Sequence, residues 1–256
     1  MKKNNHFKLF LTISVVILIC AFVCMKTKQA SLPPLGVYVI NVDEDKKKLV
    51  EFSEHLNNQS IEFKRFPGVK INSHNKQKYI DLGLLNPNTK LKKRGWVGVA
   101  LAHLALWKTI QQDKSNKKYF LIFEDDEIIH PNYKDKLANI LDEIDGDFDF
   151  INLNTIRTKG KLQKKNVYKI EKENINYSLM PNIWLSSYII NKNTIDDFFK
   201  IMNPQSIDFD TIQFDQFFVK FLHTNADVFN LYTCPRDIIS THIEDRNASV
   251  KTRYNK

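Results

Sequence analysis

The sequence predicts an α/β protein: a mainly parallel, doubly wound sheet with flanking helices, preceded by one N-terminal transmembrane helix. Three observations carry this. Short apolar runs alternate with longer stretches of helical periodicity, the pattern of repeated β-α-β units. Runs such as Tyr119–Phe123 (YFLIF) are continuously apolar, as in strands covered on both faces. Leu9–Met25 is seventeen residues without a charge.

That N-terminal run covers about 25 Å as a helix, the short end of what crosses a bilayer, with Lys8 and Lys26 placed to snorkel. A cleaved signal peptide is the rival reading. It is disfavoured by the long hydrophobic core and by Lys28, which stands where a cut after Ala30 wants a small residue. The expected organisation is a cytoplasmic tail over 1–8, a signal-anchor over 9–25, a stem over 26–35 and a body over 36–256. Lys2, Lys3 and Lys8 before the span orient the tail to the cytoplasm and the body outward. Three sequons, at Asn58, Asn176 and Asn247, agree with a secretory route. Cys20 and Cys24 lie in the span, leaving Cys234 alone in the body, so disulfides say nothing of compartment.

In the body, Val37–Asn41 reads as a buried strand. A helix follows over about Glu44–Asn57 with Asp43 as its cap, then a strand over Ile61–Phe66 stopped by Pro67-Gly68. Residues 70–94 are polar and basic, a loop or short helices. A helix begins near Val97, where Gly95 and Gly98 allow a close approach. Tyr119–Phe123 is a strand ending at Glu124-Asp125-Asp126. A helix over Asp135–Ile144 and a strand over Phe148–Leu153 follow, then a charged excursion over Lys159–Lys172 and an apolar run at Trp184–Ile190. A helix over Asn193–Met202, helical spacing over Gln213–Leu222 and a short strand over Val228–Tyr232 complete the pattern.

The formal charge of +9 on 256 residues suggests nucleic acid until it is divided. Residues 1–30 hold five lysines and no acid, which leaves the body 33 bases against 29 acids. With no arginine cluster or nucleic-acid motif, nucleic acid is not an expected partner. A composition of 43% hydrophobic and 12% aromatic residues excludes disorder and a disulfide-stapled miniprotein.

Three carboxylates directly after a buried strand matter most. They lie at its carboxyl end, where open α/β sheets bind ligands, and their mutual repulsion calls for a cation. Asp126, with Glu124 or Asp125, is the candidate site for Mn²⁺ or Mg²⁺; a solvated acidic turn is the alternative. His103 shares a helix face with Trp107, as a positioning residue or a satisfied core histidine. Lys46-Lys47-Lys48 offers a phosphate contact or a solvated helix face. Asp208, Asp210 and Asp215 offer a general base, with Asp208 and Asp215 preferred.

The order of these motifs resembles glycosyltransferase family 25, the lipooligosaccharide and procollagen galactosyltransferase family. Tyr38-Val39-Ile40-Asn41 and Phe63–Val69 resemble its opening, and Gly98–Trp107 its glycine-His-Trp helix. Leu121–Asp126 resembles its acidic signature, Ser187–Ile190 its Ala-Tyr-apolar segment, and Pro235, Ser240 and Ser249 its C-terminal positions. The resemblance implies a GT-A-like (Rossmann-like) fold and inverting transfer of galactose or another hexose from a UDP-sugar to a glycan or protein hydroxyl. It implies a divalent cation on Asp126 and Glu124, donor contacts from Asn41, Glu124 and Asp125, a base at Asp208 or Asp215, and His103 beside the substrates. Ala102 replaces the usual Ser before His103, and Asp43–Lys48 lacks the usual arginines. These departures motivate an alternative, a catalytically degenerate, membrane-anchored protein that binds glycan or nucleotide sugar. Since nucleotide sugars are supplied to secretory lumens, the expected setting is a single-pass type II protein facing the ER or Golgi lumen, in a eukaryote or a virus using one. The bacterial inner membrane is the alternative. No motif selects an oligomeric state.

Overall fold

The computed structural model describes residues 32–175 and 180–239. The predicted tail and span, most of the stem, and the sequons at Asn176 and Asn247 lie outside the described residues. Among those described, no helix is long and apolar enough to cross a membrane.

The chain opens β1 (Leu35–Asn41), α1 (Lys46–Asn57), β2 (Lys64–Pro67), α2 (Lys76–Asp81), α3 (Arg94–Gln111) and β3 (Tyr119–Glu124). It continues α4 (Tyr133–Asp142), β4 (Phe150–Thr155), β5 (Lys161–Leu162), β6 (Tyr168–Lys169) and β7 (Ser187–Asn191). It closes α5 (Ile195–Met202), α6 (Phe214–Thr224), β8 (Leu231–Pro235) and α7 (Arg236–Ile239). One eight-stranded sheet has the order β2-β1-β3-β7-β4-β8-β6-β5.

The sheet is mixed, which corrects the mainly parallel expectation. β1 pairs parallel with β2 and β3, and β4 with β8, but β7 lies antiparallel between β3 and β4. The reason lies in the connection. Among the described residues after β4, no crossover helix carries the chain back to the other end of the sheet. Instead an isolated bridge joins Ile156 to Ile183, so the chain re-enters from the edge where β4 ended. The charged excursion is partly the β5–β6 hairpin, which adds to β8.

Alternation along the strands divides the core. Tyr38, Ile40, Phe120 and Ile122 face a layer with α3, α5 and α6, centred on Trp107, Phe198 and Phe218. Val39, Leu121 and Phe123 face the other layer with α1 and α4, against Phe52, Tyr133 and Leu137. Both faces are covered, hence the unbroken apolar runs.

Several boundaries differ. α3 starts at Arg94, a turn before Val97, and its Gly98 faces the backbone after β2: a Cβ there would lie 2.4 Å from the Val69 carbonyl oxygen. Asp45, not Asp43, precedes α1; Asp43 pairs with Arg65 instead. Lys47 and Lys48 pair with Glu51 and Asp45, giving the lysine run a solvated face. Cys234 is buried, and burial pushes its thiol far above the ordinary range.

Candidate active site

A cleft of about 810 Å³ opens at the carboxyl ends of β1 and β3. Ile40 and Val42 form one wall as β1 ends, Gly68–Asn72 another after β2, and the first three turns of α3 a third, through Arg94, Gly98, Ala102 and His103. Glu124 and Asp125 stand where β3 ends, and Glu44 and Asp45 stand at the β1–α1 turn. This is the switch point of an α/β sheet: β1 carries neighbours on both sides and the strand order reverses around it.

The acidic run is held firmly. The Glu124 N–H donates to the Ser186 carbonyl at 2.8 Å, and the Asp125 N–H to the Ile40 carbonyl at 3.2 Å. Asp125 is 6% exposed, and its Oδ2 accepts from Asn41 Nδ2 at 2.6 Å. The second amide hydrogen of Asn41 goes to the Asp45 carbonyl, and its Oδ1 accepts from Arg65 Nε at 2.9 Å. Asn41 therefore acts as a buried strut under Asp125 and is not itself part of the cleft lining. Asp126 is half-buried and lies outside the cleft lining.

His103 is 1% exposed. Its Nε2 lies 3.2 Å from Glu124 Oε1, its Nδ1 lies 2.9 Å from the Tyr188 hydroxyl, and its ring stacks on Phe214. Asp215, in the first turn of α6, belongs to the same neighbourhood. Burial raises its carboxyl above the ordinary aspartate range, and the Glu124 charge raises it further. His103 on α3 and Glu124 and Asp125 at the end of β3 thus line the cleft together, while Asp215 on α6 lies outside that lining but within reach of the Glu124 charge.

Asp208 and Asp210 serve the backbone instead. Asp208 Oδ1 accepts the Asp210 N–H, and its carbonyl accepts from Thr211. Asp210 is buried, and its two oxygens accept the N–H groups of Lys90 and Lys93 at 2.9 Å, fixing the approach to α3.

Sequence reasoning missed two features. Buried Glu127 accepts from Ser186 Oγ and Asn154 Nδ2, tying β3, β4 and the entry to β7 together. Its signal was the fourth acid of the run at 124–127. Trp184, which opens the apolar run expected over Trp184–Ile190, sits half-buried at φ 87° with the Arg236 guanidinium 4.9 Å from its ring centroid.

The metal question turns on the donor set. Among the described residues no group of three or more His, Cys, Asp or Glu is arranged to hold a metal ion. Two hard carboxylates, Glu124 and Asp125, do face the cleft. Mg²⁺ is usually held by one or two carboxylates with substrate phosphates and water completing its shell, and this pair fits that pattern.

A protein of Acanthamoeba polyphaga mimivirus, R655, named as a glycosyltransferase, is 38% identical over 55 residues. That match takes in 22% of this chain and spans only 17% of the relative's length. Among solved structures, a glycosyltransferase involved in the glycosylation of the major capsid of PBCV-1 aligns with TM-score 0.35 and 9% identity. The alignment covers 64% of this chain and 63% of that one. The family model described as glycosyltransferase family 25 (LPS biosynthesis protein) matches residues 35–216, every element from β1 to the start of α6. That match covers well over half of the sequence, and the chain belongs to glycosyltransferase family 25.

Proposed function

We propose that this chain transfers a hexose, galactose foremost, from a UDP-sugar to a hydroxyl of a glycan or glycoprotein, with inversion and with Mn²⁺ or Mg²⁺. The supporting observation is the cleft itself, at the switch point of the mixed sheet. Its lining carries four carboxylates (Glu44, Asp45, Glu124, Asp125) against two bases, and one of those bases, Lys70, is already 2.6 Å from Glu44. A nucleoside diphosphate is an anion, and so acidic a cleft receives it only with a cation alongside. A divalent cation held by Glu124 and Asp125, with Asp126 behind them, would supply the positive charge that a diphosphate leaving group needs.

The protein's own groups divide the remaining work. Arg94 and the amino end of α3 face the phosphates. His103 holds Glu124 in place. Asp215 removes the acceptor hydroxyl proton as that oxygen bonds to the anomeric carbon and the nucleoside diphosphate departs with the bonding pair. Burial suits Asp215 to this, because a carboxylate with a raised pKa is the stronger base. Asp208, engaged in its own turn, is the weaker candidate.

Membrane attachment through residues 9–25, with the body in a secretory lumen, belongs to the same proposal and rests on the uncharged run.

The test is donor hydrolysis and transfer over a panel of UDP-sugars with Mn²⁺, wild type against Asp125→Asn and Asp126→Ala. Wild-type turnover that a chelator abolishes is expected, with losses of roughly 10–100-fold or more in the variants. Turnover indifferent to chelation would remove the metal from the scheme. Donor binding without turnover on any acceptor would make the chain a binding protein.

A further inference from the structure

Two residues singled out by the sequence remain outside the mechanism: Trp107, on the helix of His103, and Tyr188, the second residue of β7. Both are completely buried. They meet at the Tyr188 hydroxyl, which lies 2.9 Å from Trp107 Nε1 and 2.9 Å from His103 Nδ1.

The chemistry of the three groups fixes the direction of each bond. An indole N–H only donates, so Trp107 gives its hydrogen to the Tyr188 oxygen. The phenol's own proton then needs an acceptor, and among the described residues His103 Nδ1 is the one in reach. Were Nδ1 instead the donor, the Tyr188 oxygen would accept twice. Its O–H would then be stranded without a partner in a fully buried site, a costly arrangement. Burial also pushes the phenol far above its ordinary range, so the proton stays on Tyr188. Nδ1 therefore accepts, the ring hydrogen sits on Nε2, and Nε2 donates to Glu124 Oε1 at 3.2 Å.

We infer that Trp107 and Tyr188 are positioning residues: a one-way relay, Trp107 to Tyr188 to His103 to Glu124, fixes the His103 tautomer and thereby aims the Glu124 carboxylate at the cleft. The relay joins α3, β3 and β7, segments separated by up to 85 positions in the chain. Phe214, stacked on the imidazole, and Phe150, stacked on the phenol, hold both rings in plane. His103 orients a carboxylate here and does not itself take the acceptor proton. The function assigned to Glu124 rests on the glycosyl-transfer reading; the direction of the relay does not.

The experiment is nitrogen-15 NMR of the full chain labelled at histidine, with the His103 signals assigned by their loss in His103→Gln. The wild type is expected to show His103 with its hydrogen on Nε2. In Tyr188→Phe, which removes one oxygen and keeps the ring, the tautomer is expected to change to a mixture. In parallel, kcat for donor turnover is expected to fall about 10–100-fold while donor KM moves far less, the behaviour of a residue that orients a ligand-binding group. A wild-type His103 carrying its hydrogen on Nδ1, or a Tyr188→Phe variant with an unchanged tautomer, overturns the relay. The wild-type spectrum, once assigned, decides the first point without Tyr188→Phe needing to fold. The expected tautomers in a protein without turnover would sustain the relay and sink the enzymatic reading; turnover with the wrong tautomer would do the reverse.

Discussion

Asp215 occupies a position that a surface carboxylate would not. It begins α6, its Oδ1 accepts the neighbouring Gln216 N–H, and burial with the nearby Glu124 charge lifts its pKa. As the proton acceptor it must be ionised, so kcat/KM should fall on the acid side along a limb set above the ordinary aspartate range. Asp215→Asn should lower kcat by roughly 10²–10⁴-fold and abolish that limb, as a pH–rate profile of both forms would reveal. An unchanged limb in the variant would assign it to another group. At this scale the sequence was informative about type and poor about choice. Glu124 and Asp125 were visible because a carboxylate run closed an unmistakable strand. Asp208, Asp210 and Asp215 were indistinguishable within SIDFDTIQFDQ, since each accepts a backbone N–H and what separates them is tertiary: only Asp215 has its carboxyl raised by burial and the Glu124 charge. Asn41 was readable as site-proximal, but nothing local revealed that its amide is spent on Asp125, Asp45 and Arg65.

At the scale of elements, α3 is both a cleft wall and the carrier of His103, so its seating controls the site. Gly98 makes that seating possible. In Gly98→Ala the new methyl would meet the Val69 carbonyl oxygen, backbone that cannot swing aside, and either α3 or the loop after β2 must shift. The expected cost is about 1–3 kcal/mol, read from urea unfolding, together with weaker nucleoside diphosphate binding. The β5–β6 hairpin has a different anchor. Glu143, just past α4, accepts the N–H groups of Lys165, Asn166 and Val167 at 2.9, 2.6 and 3.0 Å. Burial alone would raise its carboxyl, but these bonds outweigh it and hold the pKa below the usual glutamate range. Such a group stabilises the fold fully above its unfolded pKa, and the contribution is lost as pH falls through the lowered folded value. Glu143→Gln should flatten that acid-side loss in unfolding measured against pH; an equal slope in both proteins would refute it. Most elements were legible because both sheet faces are covered, which leaves continuous apolar strands between amphipathic helices. The direction of β7 was not, because Ser187–Asn191 is apolar whichever way it runs, and only the return past Ile183 decides.

At the scale of the whole molecule, the proposed sidedness rests on charge and length in the first 30 residues, so its test must come from the body. Asn58 provides one. It follows the last residue of α1 and is exposed, with Gln59 and Ser60 completing the sequon. Exposure matters, because an acceptor asparagine within a covered sheet could not reach an oligosaccharide-transferring enzyme whatever its compartment. Translated with sealed secretory microsomes, the full chain should gain a glycan that a glycosidase removes, and Asn58→Gln should remove one increment of mass. Protease added outside should leave the body intact and trim only the few residues before the span, because with Lys2, Lys3 and Lys8 held on the cytoplasmic side the body has crossed. A body digested from outside, carrying no glycan, would place the acidic cleft in the cytosol. Nucleotide sugar is available there too, so the chemistry proposed for Glu124, Asp125 and Asp215 would survive that outcome, whereas the lumenal orientation and any acceptor confined to the secretory lumen would not.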